Sequence, residues 1–186
     1  MLFSKIINSE VGYLLLTADN NALLSINFID ENTHIQENTN SIIEETITQL
    51  NEYFEGKRTK FAISLSPQGT NFQKQVWNEL LNIPYGKTAS YSDVAIAIGN
   101  PKAVRAIGNA NNKNPIPIII PCHRVIGKSG KLVGYAGGLN IKKTLLRLEM
   151  EDLRFYKPFI IITSQICYYD NILNNNEIKY RWYWII

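Results

Sequence analysis

The stretch Ser90-Tyr91-Ser92-Asp93-Val94-Ala95-Ile96-Ala97-Ile98-Gly99-Asn100-Pro101-Lys102-Ala103-Val104-Arg105-Ala106-Ile107-Gly108 decides the fold of its half of the chain. Ser90 and Asp93 have the spacing of a capping box, in which the serine side chain accepts from a backbone amide and the acid reaches back to the cap. Val94, Ala95 and Ile98 then fall on one face of a short helix. Gly99-Asn100 is a tight turn. Pro101 suits the first position of a second helix, where its missing amide has no intrahelical partner to lose, and Val104 with Ile107 continue the apolar face. Two short helices joined by a glycine turn read as a helix-turn-helix. Such a pair is often plain core, so its neighbours must decide between core and nucleic-acid contact.

Toward the C-terminus, Pro115-Ile116-Pro117 excludes helix, because each proline lacks an amide and biases its predecessor toward extended backbone. A short buried extended segment, Ile116 to Ile120, is therefore predicted to end at Pro121-Cys122-His123-Arg124-Val125. Thiolate is the reactive form of cysteine, and adjacent His or Arg charge lowers a thiol pKa. Cys122 thus reads as an activated nucleophile, with a merely buried structural cysteine as the duller alternative. Gly127, Gly130, Gly134, Gly137 and Gly138 follow, a loop whose backbone can approach a flat ligand. Charge weighs against the duller reading. Residues 101–150 hold nine Lys or Arg against one acid, a net of +8, whereas residues 1–67 hold four against nine, a net of −5. Such segregation suits one half that faces a polyanion and one that does not.

Upstream, alternating apolar residues predict strands near Lys5 to Ile7, Val11 to Thr17 and Ala22 to Phe28, the last two joined at Asp19-Asn20-Asn21. Ser41 and Glu44 have capping-box spacing before a stripe of Ile43, Ile47, Leu50 and Phe54. Phe61 to Leu65 reads as a further strand. Thr70 with Gln73 caps a helix bearing Phe72, Val76 and Leu80, and a last helix begins near Asn140 with Ile141, Leu145 and Leu148. The fold class is α+β: a small antiparallel-sheet lobe with one helix over residues 1–67, a mainly helical lobe with the helix-turn-helix over 68–150, and a tail of unknown role over 151–186. The tail alternates aromatic and β-branched residues, as strands or a hairpin do.

With 186 residues the chain can bury a substantial core. It contains no apolar run of eighteen or more residues and begins without a charged-then-apolar leader, so a soluble, cytoplasmic protein with no membrane contact is expected, nuclear in a eukaryote. Cys122, Cys167, His34 and His123 show no zinc-ligand spacing, and neither metal, cofactor nor disulfide is expected.

Taken together, Leu50-Asn51-Glu52-Tyr53-Phe54-Glu55-Gly56, Gly69-Thr70-Asn71-Phe72-Gln73, Ile83-Pro84-Tyr85-Gly86-Lys87-Thr88-Ala89-Ser90-Tyr91, Ala103-Val104-Arg105-Ala106-Ile107-Gly108, Asn114-Pro115, the cysteine motif, the Gly134 to Gly138 loop and Leu145 to Glu149 resemble the O6-alkylguanine-DNA alkyltransferases, the methylated-DNA-protein-cysteine methyltransferases. The resemblance is strong over residues 50–150. It implies single-turnover repair, in which a monomer flips O6-methylguanine, or O4-methylthymine, from double-stranded DNA and moves the alkyl group irreversibly to its own cysteine. By position it implies Cys122 as acceptor and His123 with Glu149 as the relay that draws off the thiol proton through a water. Asn114 would brace the turn between recognition helix and cysteine, and Tyr91 would crowd the target phosphate and donate to guanine N3. Arg105 would fill the vacated stack, with Lys102, Ala103, Ala106 and Gly108 at the DNA. Carbonyls near Cys122 and Val125 would accept from the guanine amino group, with Tyr135 and Ala136 lining the O6 side. Glu149 near a helix C-terminus would oppose the helix dipole, for which pairing with His123 supplies a reason.

Two other functions fit parts of the chain. A DNA-binding sensor of alkylated bases would explain the helix pair but not Cys122. A thiol hydrolase would use Cys122 and His123 but explain neither the helix pair nor the basic segment.

Overall fold

The structure is a computed structural model and describes residues 1–155, 160–162, 165–174 and 177–185, with side chains through Met150. Strands β1 (Phe3–Ser9), β2 (Gly12–Ala18) and β3 (Leu23–Ile29) form an antiparallel meander in chain order. Strand alternation sends Leu14, Leu16 and Ala18 of β2 into the core with Leu23 and Ile26 of β3. The β2–β3 turn forms because the Asp19 carboxylate accepts from the amides of Asn21 and Ala22, at 2.7 and 2.8 Å.

Helix α1 (Ser41–Phe54) packs Ile43, Leu50 and Tyr53 into this core. Its cap is Asn40, not Ser41: the Asn40 side chain accepts from the Ile43 amide at 3.1 Å, while Glu44 is occupied by the Thr39 hydroxyl at 2.7 Å. Residues 61–65 do not form the expected strand. Only an isolated bridge joins Leu65 to Leu23, and the Ala62 amide donates to the Gln49 side chain at 2.8 Å, which takes the place of a ladder partner.

Helix α2 (Asn71–Leu80) starts with the expected Thr70–Gln73 capping box, and Trp77 Nε1 fastens it to the Ala110 carbonyl at 2.8 Å. The short strand β4 (Ala89–Ser90) leads into α3 (Tyr91–Ala97), which has the expected Ser90–Asp93 box. The second helix of the pair, α4 (Val104–Asn112), begins three residues later than expected. The Ala103 amide bonds Asn100 O at 3.0 Å, so Pro101 and Lys102 sit in a turn, and Ala103 caps the helix without a side-chain bond. Val104 consequently lies outward, 37% exposed, and Ile107, Ala110 and Asn111 form the inner face.

After a 3₁₀ turn at Cys122–Arg124, strand β5 (Val125–Ile126) pairs in parallel with β4, joining the residues after the cysteine to the start of α3. Helix α5 (Leu139–Phe155) runs beyond Glu149, so that residue does not end the helix and the dipole argument for its pairing falls away. The tail contains β6 (Ile160–Ile162), β7 (Gln165–Asn174) and β8 (Glu177–Ile185) in an antiparallel meander. Among the described residues no helix is long and apolar enough to cross a membrane.

Candidate active site

The segment before the cysteine is a compact turn, not an extended strand. Ile120 N donates to Ile116 O at 3.0 Å, and Ile118 has φ 74°. Left-handed backbone costs a β-branched residue about 1–3 kcal/mol, and complete burial of Ile116 and Ile118 beside Ile119 and Ile120 offsets it. One side chain ties both ends. Asn114 Oδ1 accepts from the Ile116 amide at 3.0 Å, and Nδ2 donates to Ile120 O at 2.8 Å. From α4, Asn111 Nδ2 donates to the Cys122 carbonyl at 3.3 Å, so the helix pair and the nucleophile form one unit.

Behind Cys122 lies a buried carboxylate. Glu149 is fully enclosed, and its Oε1 accepts from His123 Nε2 at 2.8 Å, Tyr53 Oη at 2.8 Å and Arg124 Nη2 at 2.9 Å. Its Oε2 accepts from Arg124 Nε at 3.0 Å and from the Gly86 amide at 3.1 Å. Gly86 has φ 66°, a left-handed conformation that favours glycine and places this amide. Arg124 Nη1 also donates to Ile83 O at 2.7 Å, and its guanidinium lies over the Tyr85 ring at 5.7 Å.

Burial alone would raise the Glu149 carboxyl, but His123 and Arg124 outweigh it and hold it at about 2. Burial lowers His123 more than Glu149 raises it, so the imidazole is neutral at neutral pH. An ionised carboxylate can only accept, which makes His123 Nε2 the protonated nitrogen and leaves the lone pair on Nδ1. Nδ1 is buried and, among the described residues, has no hydrogen-bond partner. It is a prepared proton acceptor one residue from the thiol.

Cys122 differs from the sequence expectation. Burial pushes its thiol up to about 11, only partly offset by the Asn114 side chain and the Lys142 charge. The side-chain charges of the two basic neighbours do not lower it, because Arg124 is neutralised by Glu149 and His123 carries no charge; His123 contributes only through its backbone amide. At rest the nucleophile is a thiol.

The glycine loop is held over this site by Lys142. Fully buried on α5, its Nζ donates to Val125 O at 2.6 Å and Val133 O at 2.9 Å, and burial lowers its pKa to about 8. Tyr91 Oη also donates to Val133 O, at 3.0 Å, and its pKa is raised to about 12 by burial first and Cys122 second. Tyr135 is buried beside Cys122 with its ring edge-on to Phe28 at 5.9 Å, whereas Ala136 is exposed. A Cβ on Gly137 would meet the Phe28 ring at 2.8 Å, so this glycine lets β3 press on the loop.

The residues expected at the DNA, on the outer side of α4 and in the turn before it, sit apart from this buried cluster. Arg105, Ala106 and Lys102 are exposed, and Ala103 and Gly108 are half-buried. Sequence reasoning missed Tyr53, Gly86, Asn111 and Lys142 as parts of the site, and gave Arg124 only the role of lowering the thiol pKa. Lys142 and Glu149 share a stripe with Leu145 and Leu146 at helical spacing, a detectable signal of a buried lysine. The donors from Tyr53 and Gly86 are products of long-range folding and leave no local mark. Among the described residues, no cluster of three or more His, Cys, Asp or Glu side chains could hold a metal ion.

Comparison with known proteins shows the family. A model described as the 6-O-methylguanine DNA methyltransferase DNA-binding domain matches residues 71–151, and one described as the ribonuclease-like domain of the same family matches residues 2–67. The chain is 47% identical over 159 residues to a methylated-DNA–protein-cysteine methyltransferase of Methanosarcina barkeri, covering 82% of this chain and 100% of the relative. A Mycobacterium leprae protein of the same name is 46% identical, with 82% and 95% covered. The crystal structure of Mycobacterium tuberculosis O6-methylguanine methyltransferase superposes with a TM-score of 0.75 at 42% identity, covering 84% of this chain and all of that one. Mycobacterium tuberculosis OGT in complex with DNA gives 0.73 at 43% identity, covering 83% and 99%. The two family models, matching residues 2–67 and 71–151, and relatives 46–47% identical over most of both chains place the protein in the 6-O-methylguanine DNA methyltransferase family.

Proposed function

We propose that this protein repairs duplex DNA as a monomer by taking the alkyl group from O6 of guanine onto Sγ of Cys122, once per molecule, in the compartment that holds the DNA. The observation that carries this reading is the buried His123–Glu149 hydrogen bond: from it we infer that Glu149, ionised and saturated with donors, keeps the proton on Nε2 and leaves the lone pair on Nδ1.

The chemistry balances with this chain's own groups. The Cys122 proton passes to His123 Nδ1, by way of a water as the family resemblance implies, and Glu149 stabilises the imidazolium. Sγ bonds to the alkyl carbon as the carbon–O6 bond breaks, and the electron pair remains on guanine. Tyr91 donates a proton at guanine N3, which improves the leaving group. Its hydroxyl must first leave Val133 O, and that carbonyl stays satisfied because Lys142 also donates to it. The product thioether is not reversed by any group in the site, so each molecule acts once.

Reaching O6 requires extrusion of the base, at about a few kcal/mol of unstacking. Arg105, exposed on α4, stacks in the gap, while Ala103, Ala106 and Gly108 allow close approach and Lys102 meets the backbone. Asn114 keeps Cys122 in place against that helix. Carbonyls near Cys122 and Val125 take the guanine amino group, with Tyr135 and Ala136 against the alkyl side. O4-methylthymine presents a similarly placed alkyl oxygen and is the second substrate to assay.

The test is mass spectrometry after mixing the protein with duplex DNA containing O6-methylguanine. One methyl mass should be gained on the peptide containing Cys122, and Cys122→Ala should bind the DNA and gain nothing. A sensor or a hydrolase would leave that peptide unchanged in the wild type.

A further inference from the structure

Glu149 Oε1, the oxygen that holds His123, is shared with a residue of the N-terminal sheet lobe. Tyr53 of α1 donates to it at 2.8 Å, equal to the His123 distance. The Tyr53 ring is fixed by Phe54 and Phe61, both at 5.4 Å between centroids, and by Tyr85 at 6.0 Å. Its hydroxyl therefore has one place to point. Tyr53 contacts neither Cys122 nor the DNA-facing side of α4 in any hydrogen bond of the described residues, so any effect on transfer runs through Glu149.

We propose that Tyr53 is a positioning residue for alkyl transfer, its hydroxyl drawing electron density from the carboxylate oxygen that holds His123 and so setting the pH range in which Nδ1 accepts the thiol proton. This rests on the relay described above. A hydrogen-bond donor on a carboxylate weakens the attraction of that carboxylate for a neighbouring imidazolium. Without the hydroxyl, His123 holds a proton more tightly, and the neutral base is present only at higher pH. The other groups facing the pair are Arg124 and Cys122 from the 3₁₀ turn, Lys142 from α5, Tyr85 from the loop before β4 and Tyr135 from the glycine loop. Arg124 and Lys142 oppose protonation of His123, and neither is altered by the substitution tested.

The experiment is single-turnover methyl transfer from O6-methylguanine duplex as a function of pH. Tyr53→Phe keeps the ring and removes the donor, and the acid limb should move to higher pH by about half a unit to one unit, which is roughly three- to tenfold slower transfer on that limb. Phe61→Leu loosens the same aromatic cluster without touching the hydroxyl and should lower thermal stability while leaving the limb in place. If both variants shift the limb alike, packing is responsible and the proposal fails. It fails also if Tyr53→Phe leaves the limb unmoved while Glu149→Gln or His123→Ala still suppresses transfer. If neither of those relay variants slows transfer, the relay itself is wrong. Site-specific 3-fluorotyrosine at position 53, a stronger donor, should move the limb the opposite way, and this holds as a test even if Tyr53→Phe does not fold.

Discussion

The Glu149 cluster and the outer face of α4 lie in the same half of the chain and are built in opposite ways. Glu149 is fully buried and saturated by donors from α1, the loop before β4 and the 3₁₀ turn. The outer face of α4 begins without a side-chain cap and leaves Arg105 and Ala106 exposed. A proton acceptor is effective when its partners are fixed before the substrate arrives, because no reorganisation is then required during reaction. A surface that grips DNA of any sequence needs exposed cations whose contacts exchange with counterions. The difference also corrects the meaning of the basic segment: Arg124 and Lys142, two of its nine cations, are buried parts of the site and do not face a polyanion.

The largest effect should therefore come from the buried side. Glu149→Gln leaves Arg124 buried without its counter-charge, a change worth about 3 kcal/mol or more of stability, and should slow transfer by roughly a hundredfold or more. His123→Ala combined with Glu149→Gln should be scarcely slower than the worse single variant, since in the proposed relay the two act as one unit. The same carboxylate gives stability a pH dependence. Its folded pKa of about 2 lies below its ordinary 4.5, so its contribution is fully present above 4.5 and lost as pH falls toward 2. Urea unfolding across that window should show a loss that Glu149→Gln lacks; an equal acid loss in both proteins would separate Glu149 from acid stability.

On the exposed side the effect should be smaller and confined to duplex DNA. Arg105→Ala should slow repair of duplex by roughly tenfold, about 1.4 kcal/mol, while reaction with the free base stays near wild type. Equal losses on both substrates would remove Arg105 from the stack.

Tyr91 sits where the two regions meet, and its effect should be the smallest of the set. Tyr91→Phe should slow transfer by roughly three- to tenfold, the worth of one hydrogen bond, with DNA affinity nearly unchanged. An unaltered transfer rate would end its role as donor to guanine.

The sequence made some of this contrast legible. Capping boxes at Thr70 and Ser90 are local chemistry, and both formed as expected. The three N-terminal strands also followed their alternation. Residues 61–65 have strand-like alternation too, but the Gln49 side chain took the Ala62 amide and no ladder formed. Ile116 to Ile120 read as extended because Pro115 and Pro117 exclude helix, yet Asn114 closed the segment into a turn. Cys122, His123 and Glu149 were legible as a group. The thiol's protonation was not, because its burial and the pairing of Arg124 with a carboxylate 25 residues away belong to the folded chain.

That protonation state offers the most direct measurement of how the buried side works. Ultraviolet absorbance of thiolate should be titrated in the DNA-free protein, with Cys122→Ser as the blank that cancels Cys167. The expected difference spectrum shows no Cys122 thiolate at neutral pH, with ionisation only as pH approaches about 11. A thiolate band already present at neutral pH, and absent from Cys122→Ser, would contradict the neutral thiol and prepared histidine base.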